Sequence, residues 1–189
     1  EELGWVEIGE EDDAIEVFHE RGYSDGLPVV IPTEGRVRRM LAGAPAGVEA
    51  NLVLGKCPPN YVTVTAEVVA VNAVMAGCDP RQFGVVLAAV EAVLQPEFGL
   101  HGVGATTMGA TPLVLVNGPV RDTAGFNYKA GALGSGTRAN LAVGRALKLV
   151  MQNVGGARLG GSESTTLGTP MKVGFCAAEW EERGAPRGP

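Results

Sequence analysis

The alternation of apolar and polar positions divides the chain into short elements. Residues 12–22 (DDAIEVFHERG) predict an amphipathic helix that Asp12 or Asp13 can cap and Gly22 can end. A turn follows in SDGLPVVIPT, with a short apolar strand around Val29–Ile31. Residues 34–42 carry Arg36, Arg38 and Arg39 and predict a second helix, stopped by Pro45. Residues 62–77 (VTVTAEVVAVNAVMAG) are apolar nearly all round, which fits either a strand entering a helix or one buried helix. Glu67 and Asn72 are the polar exceptions there, and each needs a partner if buried. Further helices are expected over 81–95 and 138–154, and strands over 112–117 and 171–176. Residues 121–136 read as glycine-rich and irregular. This alternation predicts an α/β or α+β fold, with 1–189 as a single domain, an acidic arm at 1–20 and a short tail at 183–189.

The chain resembles itself. RQFGVVLAAVEAVLQ (81–95) aligns with RANLAVGRALKLVMQ (138–152), so that Arg81 meets Arg138, Val86 meets Val143 and Gln95 meets Gln152. ATTMGATPLVLV (105–116) then aligns with STTLGTPMKV (164–173) after one deletion. Two helix–loop–strand units, about 81–117 and 138–176, are therefore expected to pack as a pseudo-repeat. Thr106, Thr107, Thr165 and Thr166 supply hydroxyls at the repeated turn, and the glycines there bare backbone N–H groups. Such turns suit a carboxylate, phosphate or carbonyl oxygen, although threonines in turns also bond their own backbone.

Composition narrows the class. Glycine numbers 28 of 189 residues, about twice its usual ~7% share. It has no collagen period, and the 46% hydrophobic content is too high for disorder. No apolar run is long enough to suggest a membrane span. Residues 1–20 hold nine acids and no Lys or Arg, so the remaining chain, within a net charge of −6, is at +3. No basic stripe with interleaved aromatics points to nucleic acid. Cys57, Cys78 and Cys176 are odd in number and lack CxxC spacing, so a disulfide framework or structural zinc site is not expected. The acidic opening does not resemble a signal peptide, which makes the cytoplasm the expected compartment.

Several residues are candidates for chemistry. The loop GALGSGTRAN (131–140) enters a helix, where Ser135 or Thr137 can cap and Arg138 adds positive charge, the ingredients of an anion site. It lacks the Lys-Ser/Thr ending of a Walker motif. His101, in GLHGVGATTMG, is a candidate general acid or base beside the first threonine pair. Cys57 follows Lys56, whose charge would favour a thiolate. It precedes Pro58-Pro59-Asn60-Tyr61, which makes Asn60 a candidate contact to substrate. Glu179, Glu181 and Glu182 lie just beyond Cys176, where they would raise its pKa or instead work with His101 in acid/base or metal chemistry, which makes Glu179 a candidate catalytic residue. No metal-ligand spacing occurs, and no cofactor is indicated.

SDGLPVVIPT (24–33), PPNY (58–61), NAVMAGCDP (72–80), LHGVGATTMGATPLVLVNGP (100–119), NVGGARLGG (153–161) and STTLGTPMKVGFCAAEWEE (164–182) together resemble a poorly characterised bacterial family. That family is associated with, or fused to, a domain bearing a thiol or selenol UGSC motif, and the resemblance covers nearly the whole chain. It implies a second part, carried by a partner subunit or a following domain, and thiol- or selenol-linked chemistry. The leading expectation is a subunit of a cytoplasmic enzyme acting on a small polar or anionic metabolite by lyase, hydrolase or reductive chemistry. Binding would fall to the Thr-Thr-x-Gly loops and residues 131–138, proton transfer to His101, and nucleophilic attack to Cys57 or a partner's thiol. The alternatives are a non-catalytic subunit that completes a partner's active site, and a metal-dependent hydratase with ligands shared between chains. An oligomer is expected in each case.

Overall fold

The computed structural model describes residue 4 and residues 6–184. It is a mixed α/β structure built around one buried helix. Asp13 accepts from the Ile15 N–H (2.8 Å) and starts α1 (Ala14–Glu20). After α2 (Glu34–Leu41), β1 (Val53–Cys57) and β2 (Val62–Thr65) form an antiparallel hairpin. The apolar stretch 62–77 is a strand running directly into a helix. Thr65 caps α3 (Ala66–Ala76), and Gly77 closes it in the left-handed region that glycine adopts without strain.

Ala66, Ala70 and Ala73 of α3 are fully buried, and α3 packs against α7 (Arg138–Asn153), where the small residues Ala139, Ala142 and Ala146 are buried too. Side chains of that size let two helix axes approach closely. α4 (Phe83–Val93) packs against both helices, with Phe83, Val86 and Val90 buried. The polar exception Asn72 has its partners. Its Nδ2 donates to the Val68 carbonyl, and its Oδ1 accepts from Asn153 of α7, both at 2.9 Å.

A second sheet contains β3 (Val114–Val116) and β4 (Cys176–Ala178), parallel, with Val114 opposite Cys176. α7 lies in the connection between them, and two glycines set how closely β4 sits on that helix. A Cβ on Gly144 would lie 2.6 Å from the Phe175 nitrogen, and one on Gly174 would lie 2.4 Å from the Arg145 nitrogen. Short helices complete the chain: α5 (Leu100–Gly104), α6 (Val120–Thr123) and α8 (Glu181–Gly184). No helix among the described residues is long and apolar enough to cross a membrane.

Four local expectations change. Residues 29–31 are extended but form no ladder, because only Val30 bonds inward, to the Met75 carbonyl (3.1 Å). The segment 121–136 is not wholly irregular, since it begins within α6. His101 sits on α5 rather than in a loop. The strand expected at 171–176 is displaced to Cys176–Ala178, and Pro170–Val173 form a 3-10 turn. Proline has no N–H for a ladder, and Lys172 is drawn inward by the polar cluster described next. The acidic arm and the tail lie partly outside the described residues.

Candidate functional site

The two Thr-Thr-x-Gly turns lie side by side. The Thr166 and Leu167 N–H groups both donate to the Thr107 carbonyl (2.8 and 3.2 Å), and Met108 bridges Leu167, the residue it aligns with. Their threonines differ in use. Thr106 Oγ1 accepts from the Met108 N–H (3.1 Å), a local turn bond, while Thr166 donates to the Ser164 carbonyl (3.3 Å). The Thr107 hydroxyl is exposed and bonds to no described residue. Thr165 is tied into a cluster that sequence reading missed.

That cluster is Lys148, Glu163, Thr165 and Lys172. Glu163 accepts from Lys148 and Lys172 (2.9 Å each), from the Thr165 N–H (3.2 Å) and from the Thr165 hydroxyl. All three ionic side chains are nearly buried. Burial alone would raise the Glu163 pKa, but the bonds from Thr165, Lys148 and Lys172 outweigh it and hold the value at about 2. Lys172 spends its three protons on Glu163, Thr165 and the Met108 carbonyl (3.3 Å), which clamps the first turn to the second. Lys148 spends one of three on described residues. One carboxylate thus faces two ammonium groups, leaving a net positive charge beneath the paired turns.

His101 pairs with Tyr61, which follows Asn60 in the hairpin turn and belongs to no catalytic motif. The Tyr61 hydroxyl and His101 Nδ1 are 3.2 Å apart, and both residues are exposed. Tyr61 has φ +54°, the left-handed region, where a non-glycine residue is uncommon and such strain clusters at functional sites. The hairpin turn carrying it is seated on α7's end. Asn60 donates its N–H to the Gly155 carbonyl (3.0 Å), and a Cβ on Gly155 would meet the Pro58 carbonyl oxygen at 2.5 Å. Asn60 is therefore a fold contact here, with its side chain beside Gly156. The hydrogen-bonded Tyr61–His101 pair can pass a proton between phenol and imidazole at the surface.

No family model, no curated protein and no solved structure matches the chain.

The remaining candidates need correction. Cys57 is not poised as a thiolate. Successive strand side chains point to opposite faces, so Lys56 is exposed while Cys57 is 1% exposed, and burial pushes its thiol up to about 12. Burial does the same to Cys78 and Cys176, and for Cys176 it is burial rather than the following glutamates that acts. Arg138 does not present its donors to the glycine-rich loop. It turns back to the end of α3, donating to the Gly77 and Cys78 carbonyls (2.7 and 3.1 Å) beside Asp79. Cations at a helix C-terminus are favourable. Its aligned counterpart Arg81 bonds the same Asp79 (2.8 Å). Ser135 is exposed and makes no hydrogen bond with the described residues.

Glu179 acts through its backbone. It donates to the Val116 carbonyl (2.9 Å) and accepts from Arg121, and no bond among the described residues joins its carboxylate to His101. Among the described residues, no group of three or more His, Cys, Asp or Glu side chains is arranged to hold a metal ion.

Proposed function

We propose that this chain is a subunit of an enzyme acting on a small polar or anionic metabolite. The ligand is held at the paired turns 105–109 and 164–168, and the Tyr61–His101 pair transfers the proton. The observation that carries this reading is the meeting of the two turns above a carboxylate flanked by two lysines. Backbone donors in tight turns over a net positive charge favour an oxyanion. Thr107 keeps its hydroxyl available for such a ligand.

Thiol-linked lyase, hydrolase or reductive chemistry would take its nucleophile from the second subunit, in keeping with the resemblance to the UGSC-associated family. The three thiols of this chain favour that division of labour, because each is buried and pushed up to about 12. Exposed apolar side chains on the turns, Met108 and Leu167, favour a covering partner. Three free thiols support a cytoplasmic setting.

A second reading, a non-catalytic subunit completing a partner's active site, is favoured by the saturation of Lys172. The complex purified with its partner separates the two in a screen of small carboxylates and phosphates. Thr107→Val is expected to weaken the responding ligand, and His101→Asn to lower turnover by a factor of 10² or more with KM little changed. Full turnover in His101→Asn, with Thr107→Val still impaired, assigns the shaping role alone. Retained folding and activity in Thr107→Val sinks the turn assignment.

A further inference from the structure

β3 stands at an open edge of its sheet. Among the described residues it pairs with β4 alone, in a parallel ladder. The Val114 N–H donates to the Phe175 carbonyl (3.0 Å), and the Val116 carbonyl accepts from the Glu179 N–H (2.9 Å). Backbone groups alternate sides along a strand, so Leu113, Leu115 and Asn117 turn their N–H and C=O groups away from β4. None of these groups bonds to the described residues. Side chains alternate as well. Val116 is buried, while Leu113 and Leu115 are 51% and 54% exposed. Unmet backbone groups flanked by exposed apolar side chains are a template for a further strand.

Charge and register restrict what can join this edge. Residues 102–120 contain no Asp, Glu, Lys or Arg, so the strand has no charge to select a charged partner and none to repel its own copy. No edge lysine or bulge blocks pairing. Pro112 lacks an N–H, but the alternation turns that position toward β4. Past Asn117 the chain leaves the strand, because Gly118 takes a left-handed φ of 74° ahead of α6. The outward residues 113, 115 and 117 are therefore symmetric about Leu115. Antiparallel pairing across a two-fold axis at Leu115 sets Leu115 opposite Leu115 of a second copy, and Leu113 opposite its Asn117. Each such pair exchanges both N–H···O bonds. A patch that matches itself in this way fits the commonest closed association, a two-fold dimer. Glu181, which accepts from the Asn117 amide (2.9 Å), falls at opposite ends of the joined strands in the two copies.

We propose that the outer edge of β3 is a docking surface for a second copy of this chain, joining the two sheets into one in the order β4-β3-β3-β4. The surface shares no residue with the turns 105–109 and 164–168 and does not depend on their role. Sedimentation velocity of the full chain from about 1 µM to about 1 mM tests it, since a small interface gives a weak dimer. A monomer–dimer equilibrium is expected, with amide hydrogen exchange at Leu113, Leu115 and Asn117 slowing in step with the dimer. Leu115→Lys and Leu115→Glu each set like charges opposite one another and should raise the dimer Kd by about fivefold or more. An equimolar mixture of the two variants should associate again. Leu133→Lys, at an exposed leucine outside the strand, should leave the Kd unchanged. Urea midpoints report whether each variant keeps its fold, and exchange in the unaltered chain decides the matter without any variant. A chain that stays monomeric throughout, a dimer that Leu115→Lys leaves intact, a mixture that fails to associate, or a dimer without slowed exchange at Leu115 overturns the proposal.

Discussion

At Glu163 a single carboxylate accepts from two lysines and a threonine, and its pKa falls from 4.5 to about 2. The folded form thus favours the ionised carboxylate more than the unfolded chain does. Its contribution is fully present above pH 4.5 and is lost as pH falls through about 2. At 1.36 kcal/mol per unit this amounts to about 3 kcal/mol. Urea unfolding at neutral pH and at about pH 3 should show wild type losing much of this increment, and Glu163→Gln losing correspondingly less. Equal losses in both would remove Glu163 as the source. None of this was readable beforehand, because the partners lie 15 and 9 residues away with no periodic signal. The corrections at Cys57 and Arg138 have the same origin. Lys56 beside Cys57 is a neighbour in sequence but points to the other face, and Arg138 found carbonyls 61 and 60 residues away.

Helix ends were readable because capping is local. Asp13, one of the two caps expected for α1, acts within a few residues of itself. The strand at 171–176 was not, because residues aligned with 113–115 are held by a different environment once Lys172 turns inward. The approach of β4 to α7 is decided by Gly144 and Gly174, glycines that stand outside the turns where glycine is usually expected. Gly144→Ala places a Cβ 2.6 Å from the Phe175 nitrogen, against backbone that cannot rotate away. A destabilisation of about 1–3 kcal/mol is expected, measurable as a lower urea midpoint, with Gly35→Ala, where no atom lies within 4 Å, as the control. An unchanged midpoint in Gly144→Ala would mean that β4 does not sit on the helix.

Across the molecule, α7 is the organiser. One face is buried against α3 and α4, and its polar residues hold segments distant in sequence. Arg145 grips both Asp25 oxygens (2.8 and 2.7 Å) and the Leu27 and Pro28 carbonyls, while Gln152 and Asn153 bind the Ser24 and Tyr23 carbonyls. Burial opposes ionisation of Asp25, but Arg145 more than offsets it and lowers the pKa. Arg145→Ala would strand a carboxylate that is 6% exposed, at a cost of about 3–5 kcal/mol. Added Asp25→Ala should recover part of that loss in urea unfolding, and a double variant no more stable than the single would contradict an orphaned charge. The sequence by itself determined the mixed α/β class, the positions of the main helices and the recurrence of the Thr-Thr-x-Gly turns, since periodicity, capping and repetition act over short distances. Only the tertiary structure decided which polar groups meet. The pairing of the turns, the lysines around Glu163, the Tyr61–His101 contact and the burial of every thiol all depend on which segments α7 and the hairpin bring together.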